Sequence, residues 1–199
     1  MGDEQPKIGH DRGMSSEARA SWPGRPSLTT PGGVRFREAG PGDAAAVLAL
    51  KQDLDRETAF MLLEPGERSE TVQDVAAELE RVAAAANSVM IVAETARGLV
   101  GYVDARGGRF RRSRITAHVV IGVLAAASGR GIGSGLLSEV ESWARAHGLH
   151  RLELTVMAHN RRASHLYQRM GFAVEGRRRE CLLVDANLVD ELYLAKLLR

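Results

Sequence analysis

Cysteine is almost missing from this chain: Cys181 is the only one in 199 residues. An intrachain disulfide and a zinc site built from several cysteines are thereby excluded. Lysine is nearly as scarce. Lys7, Lys51 and Lys196 stand alone, so 24 of the 27 basic residues are arginine, which reads as GC-rich codon usage before it reads as function. Aromatic residues make up only 5%, too few beside the arginines at 109–114 and 177–179 to support base stacking. With 25 acidic residues the net charge is +2, and no nucleic-acid partner is expected. Long apolar runs are absent as well. The stretch 119–127 falls far short of the roughly 20 residues that span a bilayer. The opening Met1-Gly2-Asp3-Glu4-Gln5-Pro6 has no apolar core of a signal peptide. No membrane partner is expected, and a cytoplasmic, reducing compartment is.

Hydrophobic residues at 44% and charged residues at 26% are enough for one ordinary globular domain. Residues 1–32 carry Gly, Pro, Ser and Arg without an apolar period, so a disordered leader is expected there and a folded domain over 33–199. Val34 to Arg37 alternates as a short strand. Val47, Leu50 and Leu54 recur at helical spacing, and Thr71 with Asp74 forms a capping box before a second apolar stripe at Val75, Leu79 and Val82. Val89 to Glu94 and Leu99 to Ala105 read as a hairpin around Ala96-Arg97-Gly98, followed by a basic loop from Arg106 to Arg114. Ile115 to Leu124 is a long run rich in β-branched residues and predicts a buried central strand. Ile132, Leu136, Val140 and Trp143 make a helix that Gly148 stops; Arg151 to Met157 alternates as a strand. Asn160 opens a short helix that ends at Gly171.

The strongest local signal lies between the central strand and its helix: Ser128-Gly129-Arg130-Gly131-Ile132-Gly133. Glycines let successive backbone N–H groups converge, and a helix N-terminus behind them adds unpaired donors and a partial positive charge. Such a loop suits a phosphate or pyrophosphate. The plain alternative is a tight turn. A P-loop is excluded because no lysine follows the glycines, and a dinucleotide loop normally follows the first strand of a parallel sheet.

Two blocks of sequence then resemble the GNAT superfamily of acyl-CoA-dependent N-acetyltransferases. The first runs from Val119-Val120-Ile121-Gly122-Val123 through Gly129-Arg130-Gly131-Ile132-Gly133-Ser134-Gly135. It is similar to the family's Gln/Arg-x-x-Gly-x-Gly/Ala signature, with Ser128 departing at the first position. The second, Asn160-Arg161-Arg162-Ala163-Ser164-His165-Leu166-Tyr167-Gln168-Arg169-Met170-Gly171-Phe172, fits Asn-x-x-Ala-x-x-Leu-Tyr-x-x-x-Gly-Phe at every named position. The resemblance covers residues 34–199. It implies an α/β (α+β) fold: a mixed, mostly antiparallel sheet of about seven strands, flanked by about four helices and splayed between strands four and five. In residues 188–198, Leu188, Leu192 and Ala195 fit a helix as well as the alternation fits a strand; the resemblance favours a strand, Asp185-Ala186-Asn187 reads as a turn with Leu182 to Val184 as partner, and a strand is expected.

The same resemblance implies acetyl-CoA as co-substrate, no metal, and direct attack of an amine on the thioester. It puts the backbone of Ile121 and Val123 on the pantetheine arm. Ser128, Gly129, Arg130, Gly131, Ile132, Gly133 and Ser134 fall on the pyrophosphate, with Arg130 partly replacing the lost cation. Asn160 and Ala163 fall beside the pantetheine amides, although Asn160 read by itself is a helix N-cap. Tyr167 stands as general acid; without the motif it reads as a core residue. The base is open between Glu153, His118 and water, Glu153 sharing a strand face with Thr155. Glu57, Glu64 and Glu67 lie where an acceptor pocket is expected and suit a cationic amine. The acceptor is expected to be a small-molecule amine or a peptide or protein N-terminus, and a homodimer is allowed for. A catalytically inactive acyl-CoA-binding sensor or scaffold is the alternative. His147, His150 and His159 have no supporting carboxylate or cysteine cluster, so no metal is expected.

Overall fold

The computed structural model describes residues 33–199; the leader expected over 1–32 lies outside them. The chain runs β1 (Arg35–Glu38), a 3-10 turn (Pro41–Asp43), α1 (Ala44–Glu57), α2 (Val72–Ala84), β2 (Val89–Thr95), β3 (Gly98–Gly107), β4 (Thr116–Val123), a second 3-10 turn (Ala125–Ala127), α3 (Ile132–Ala146), β5 (Arg151–Met157), α4 (Arg161–Arg169), β6 (Ala173–Val184) and β7 (Asn187–Leu197). One seven-stranded sheet results, in the order β1-β2-β3-β4-β5-β7-β6. All of its pairings are antiparallel except β4 with β5.

Alternation along the strands divides the core into two layers. Val89, Ile91 and Ala93 of β2 join a cluster with Leu136, Val140 and Trp143 of α3, while Met90 and Val92 join Val47, Leu54, Val75 and Leu79 of α1 and α2. The two helical layers therefore cover opposite faces of the sheet. Gly122 lets α1 come close: a Cβ there would lie 2.5 Å from Leu54 Cδ1. The tail is a strand, as expected. Val184 pairs with Asn187 across Asp185 and Ala186, whose φ values of 48° and 61° make a two-residue turn of the kind that suits hairpin twist.

Two expectations need correction. The basic loop is shorter than read, because Arg106 and Gly107 continue β3 and pair with His118 and Ala117. And β4 is central but only half buried: Ala117 and Val119 are covered, whereas His118 is exposed and Val120 is 40% exposed. A β-branched run reports strand propensity but not whether a helix covers both faces.

The link between α1 and α2 is held by charge. Arg68 donates to both oxygens of Asp55 at 2.6 and 3.0 Å and to Glu70 at 2.7 Å. The Arg68 and Asp55 side chains are only 10% and 3% exposed. Thr71 and Asp74 then form the expected capping box at the start of α2. Among the described residues, no helix is long and apolar enough to cross a membrane. Removing one partner of a buried pair strands the other charge. Asp55→Ala should therefore lower the unfolding free energy by about 3–5 kcal/mol in urea titration. A loss under about 1 kcal/mol would show that Arg68 finds solvent without cost.

Candidate active site

The parallel pair β4–β5 is short. It runs from Thr116 opposite Arg151 through Ala117 opposite Leu152 to His118 opposite Glu153. Beyond that point β4 continues to Val123 and β5 to Met157 without pairing to each other. Each strand stays paired on its far side, β4 with β3 and β5 with β7. A cavity of about 930 Å³ opens between and around the diverging ends.

Backbone direction on β4 follows from two bonds. The Leu124 N–H donates to Val100 O, and Thr116 O accepts from Gly108 N–H, so even-numbered residues turn their backbone groups toward the β3 side. Alternation then turns the N–H groups of Ile121 and Val123 into the gap. Both residues line the cavity.

The glycine loop closes one end of it. Gly129 and Gly131 both have φ of +79°, in the left-handed region, and a Cβ at either would meet nothing within 4 Å. Open space over left-handed glycines, at the foot of a helix, is a cradle that faces a ligand rather than the protein. Gly131 is also the N-cap of α3, and no side chain caps that helix. Its neighbours differ: Thr71 caps α2 and Asn160 caps α4. The first-turn N–H groups of α3, at Ile132, Gly133 and Ser134, have no intrahelical partner and point at the cavity end. This set fits a pyrophosphate.

Not all of the expected loop residues share that geometry. Ser128 lines the cavity, but its N–H is already donated to Ala125 O at 3.1 Å. Arg130 is exposed and is not a wall residue. The arginines on the wall are instead Arg162 and Arg169 of α4. Their seven-residue spacing keeps them on one helix face, a signal present in the sequence that the glycine loop overshadowed. Asn160 and Ala163 also line the cavity, and the Asn160 Oδ1 accepts the Ala163 N–H at 3.1 Å, so the N-cap role is real.

Tyr167 lies on the same wall, 7% exposed, with its ring 5.9 Å from that of Phe172. Its hydroxyl has no hydrogen-bond partner among the described residues, and no such partnerless oxygen is sealed from solvent, so the phenol oxygen of this cavity-lining residue keeps some access to solvent. Burial pushes the phenol up to about 12.

Glu153 is placed differently from the expectation. Its carboxylate accepts from Arg151 Nε at 2.8 Å, Arg151 also holds Glu175, and Glu153 is not part of the cavity wall. Parity put it on the right face of β5, but it sits where the strands are still paired, one step short of the gap. Thr155, His118 and Glu191 do line the cavity; Glu191 was not singled out by the sequence. Glu57 lines it too, and its Oε2 accepts the Ala125 N–H at 2.8 Å, tying α1 to the loop after β4. Glu64 and Glu67 line an adjoining cavity of about 500 Å³, whose walls share Glu57, Met61, Met157 and Leu182 with the first. The three histidines do not converge: His147 Nδ1 is 2.8 Å from Trp143 O, and His159 packs on Phe60. Among the described residues no group of three or more His, Cys, Asp or Glu could hold a metal ion.

The raised phenol has a consequence for pH. The unfolded tyrosine, at its ordinary value of 10.0, gives up its proton before the folded Tyr167, at about 12. Above pH 10 the native state therefore binds more protons than the unfolded one, and stability falls as pH rises. In a spectrophotometric titration the wild-type minus Tyr167→Phe difference should show no tyrosinate until the pH approaches about 12. Ionisation near pH 10 would mean that the phenol is freely hydrated.

Comparison with known proteins joins this geometry to a family. The model of the Acetyltransferase (GNAT) family matches residues 52–172. No curated protein matches the sequence significantly. Among solved structures, a GNAT-family acetyltransferase from Streptococcus pneumoniae is 30% identical with a TM-score of 0.80, covering 83% of this chain and 99% of its own. A ribosomal-protein-alanine N-acetyltransferase from Brucella melitensis is 26% identical with a TM-score of 0.71, covering 81% and 98%. An acetyltransferase from Salmonella typhimurium, determined with its cofactor acetyl-CoA, shares the fold at 22% identity and a TM-score of 0.75, covering 84% and 95%. The short parallel seam, the uncapped glycine-led helix and these matches give one conclusion: the chain belongs to the GNAT acetyltransferase family and is an acyltransferase.

Proposed function

We propose that this enzyme transfers the acetyl group of acetyl-CoA to a primary amine by direct attack of the amine on the thioester. The observation that carries the reading is the convergence on one cavity of three donor sets: the uncapped start of α3, the N–H groups of Ile121 and Val123, and the Tyr167 phenol. In this reading the N–H groups around Gly129, Gly131, Ile132, Gly133 and Ser134 hold the pyrophosphate, with Arg162 and Arg169 adding positive charge. Ile121, Asn160 and Ala163 flank the pantetheine arm. The Val123 N–H faces the thioester carbonyl, where a preorganised donor stabilises developing negative charge. Tyr167, kept protonated by its burial, gives its proton to the departing sulfur. Glu153 is left in its ion pair with Arg151.

The acceptor is a primary amine, on a small molecule or at a peptide N-terminus. Brucella ribosomal-protein-alanine N-acetyltransferase and a phosphinothricin N-acetyltransferase mark the range among similar folds. The wall around Glu57, Glu64 and Glu67 suits a cationic amine. Among the described residues none of the three is in an ion pair with a side chain.

The direct experiment is coenzyme A release from acetyl-CoA over a panel of amines, with mass detection of the acetylated product. Binding of acetyl-CoA without release on any amine would leave an acyl-CoA sensor instead. Gly131→Val tests the cradle: the space is open, so the penalty falls on the positive φ, which a β-branched residue resists. Acetyl-CoA affinity should fall by about tenfold or more, on the order of 1.4 kcal/mol; unchanged calorimetry with the fold intact would remove the assignment. Tyr167→Phe keeps the ring against Phe172 and loses the proton. Turnover should drop by at least about tenfold where chemistry limits the rate, with affinity and melting temperature nearly unmoved. Near-wild-type turnover would reduce Tyr167 to a packing residue.

A further inference from the structure

We propose that Glu191 on β7 receives the ammonium group of the acceptor and takes its first proton; this deepens, and rests on, the N-acetyltransferase reading. Glu191 is 9% exposed, yet it is a wall residue of the main cavity. Its Oε2 accepts from Arg178 at 2.7 Å, with the Cys181 thiol 3.7 Å away. Its Oε1 has no hydrogen-bond partner among the described residues. No partnerless side-chain oxygen there is sealed from solvent, so Oε1 keeps access to solvent on a residue that lines the cavity. Carboxylates are expensive to hold away from water unless fully paired. Here one with only one oxygen paired is kept at the wall of a cleft.

Strand parity says which substrate it meets. Leu192 and Leu194 of β7, and Leu154 and Val156 of β5, belong to the α3-side cluster, together with Tyr167. Glu191 is the register partner of Met157, so both side chains leave the sheet on the opposite face, the side of α1 and the α1–α2 link. Met157 is shared between the main cavity and the acid-lined one beside it. Glu191 thus shares a sheet face with Met157, which both cavities have in common, with Tyr167 on the opposite face.

The acceptor arrives as its ammonium and gives one proton to Oε1 of Glu191. Its nitrogen then forms the new bond to the acetyl carbon, and the carbon–sulfur bond breaks with its electron pair on sulfur. Tyr167 protonates that sulfur and recovers a proton from the nitrogen through water. Glu191 returns its proton to solvent. Ammonium and thioester become amide, thiol and one released proton.

The test compares nucleophiles within one protein, so the ratio is independent of how much of a variant is folded. The ammonium probes are putrescine, phenethylamine and an alanine-initiated peptide amide. The reference is hydroxylamine, which is neutral at neutral pH, with the uncatalysed rate subtracted. Glu191→Gln should lower the ammonium-to-hydroxylamine ratio of kcat/KM by about tenfold or more. Glu191→Asp, which keeps the charge but withdraws it, should fall between. Arg178→Met removes a partner of Oε2, leaves Oε1 in place, and should move the ratio less than Glu191→Gln does. Equal losses in the Glu191→Gln and Arg178→Met variants would reduce the pair to a structural bridge and overturn the inference, as would an unmoved ratio in all three. A wild-type enzyme that acetylates hydroxylamine but none of the ammonium probes overturns this inference alone. One that acetylates neither overturns the N-acetyltransferase reading as well.

Discussion

β4 and β5 hold each other through three residue pairs, from Thr116 opposite Arg151 to His118 opposite Glu153, and then part. Every backbone group past that point on the inner edges loses a strand partner, at a cost of roughly 1–3 kcal/mol for each one kept from water. The sheet bears this because both outer edges are complete: β3 runs along β4, and β7 follows β5 from Arg151 to Met157. The parting is backed on one face by α4. Ala163, Leu166 and Tyr167 join the apolar cluster that also takes Val119 of β4 and Val156 of β5. What is left is a slot lined by main-chain donors, with an apolar floor and a helix N-terminus at one end. A long polar ligand that can satisfy the main chain as a strand would is the natural occupant.

Two tethers hold the α1–α2 link beside that slot. The Asp55–Arg68 bridge fixes the end of the link to the body of α1, and Glu57 ties the last turn of α1 to the Ala125 N–H. Both set where Phe60, Met61 and Leu62 stand in the cavity wall. An apolar link without these bridges would be free to close over the gap or leave it, because loops cost little to reorder. A buried ion pair is a weak source of stability but a good source of register.

Much of this was legible in the residues. Capping chemistry placed the starts of α2 and α4, the paired glycines placed the start of α3, and a two-residue turn at Asp185-Ala186 decided that 187–197 is a strand although Leu188, Leu192 and Ala195 keep helical spacing. These are local signals, settled within a few residues of chain. What local signals miss is where two strands separate. Glu153 and Thr155 share a face of β5, and alternation treats them alike; only the length of the β4–β5 pairing puts Thr155 in the cavity and leaves Glu153 with Arg151. Arg130 was favoured for its place beside the glycines. A left-handed turn on each side points its side chain to solvent, while Arg162 and Arg169, some thirty residues on, reach the wall by helix periodicity. Glu191 was invisible for a similar reason. Nothing in its own segment marks it, and its burial comes from a register with Met157 that no local pattern encodes.

The division of the sheet into two covered faces also constrains the chemistry that the fold can host. A closed sheet would separate the α3 face from the α1 face by a continuous ladder of hydrogen bonds. Opening one seam joins them without dismantling either core, since the two apolar clusters meet the sheet from opposite sides. In the proposed reaction acetyl-CoA and the amine must bring their reacting atoms together while the rest of each stays apart. Approach from opposite faces through the gap does this with little rearrangement. It places Tyr167, and the proton for sulfur, on the α3 face. It also leaves the opposite face for groups that handle the amine.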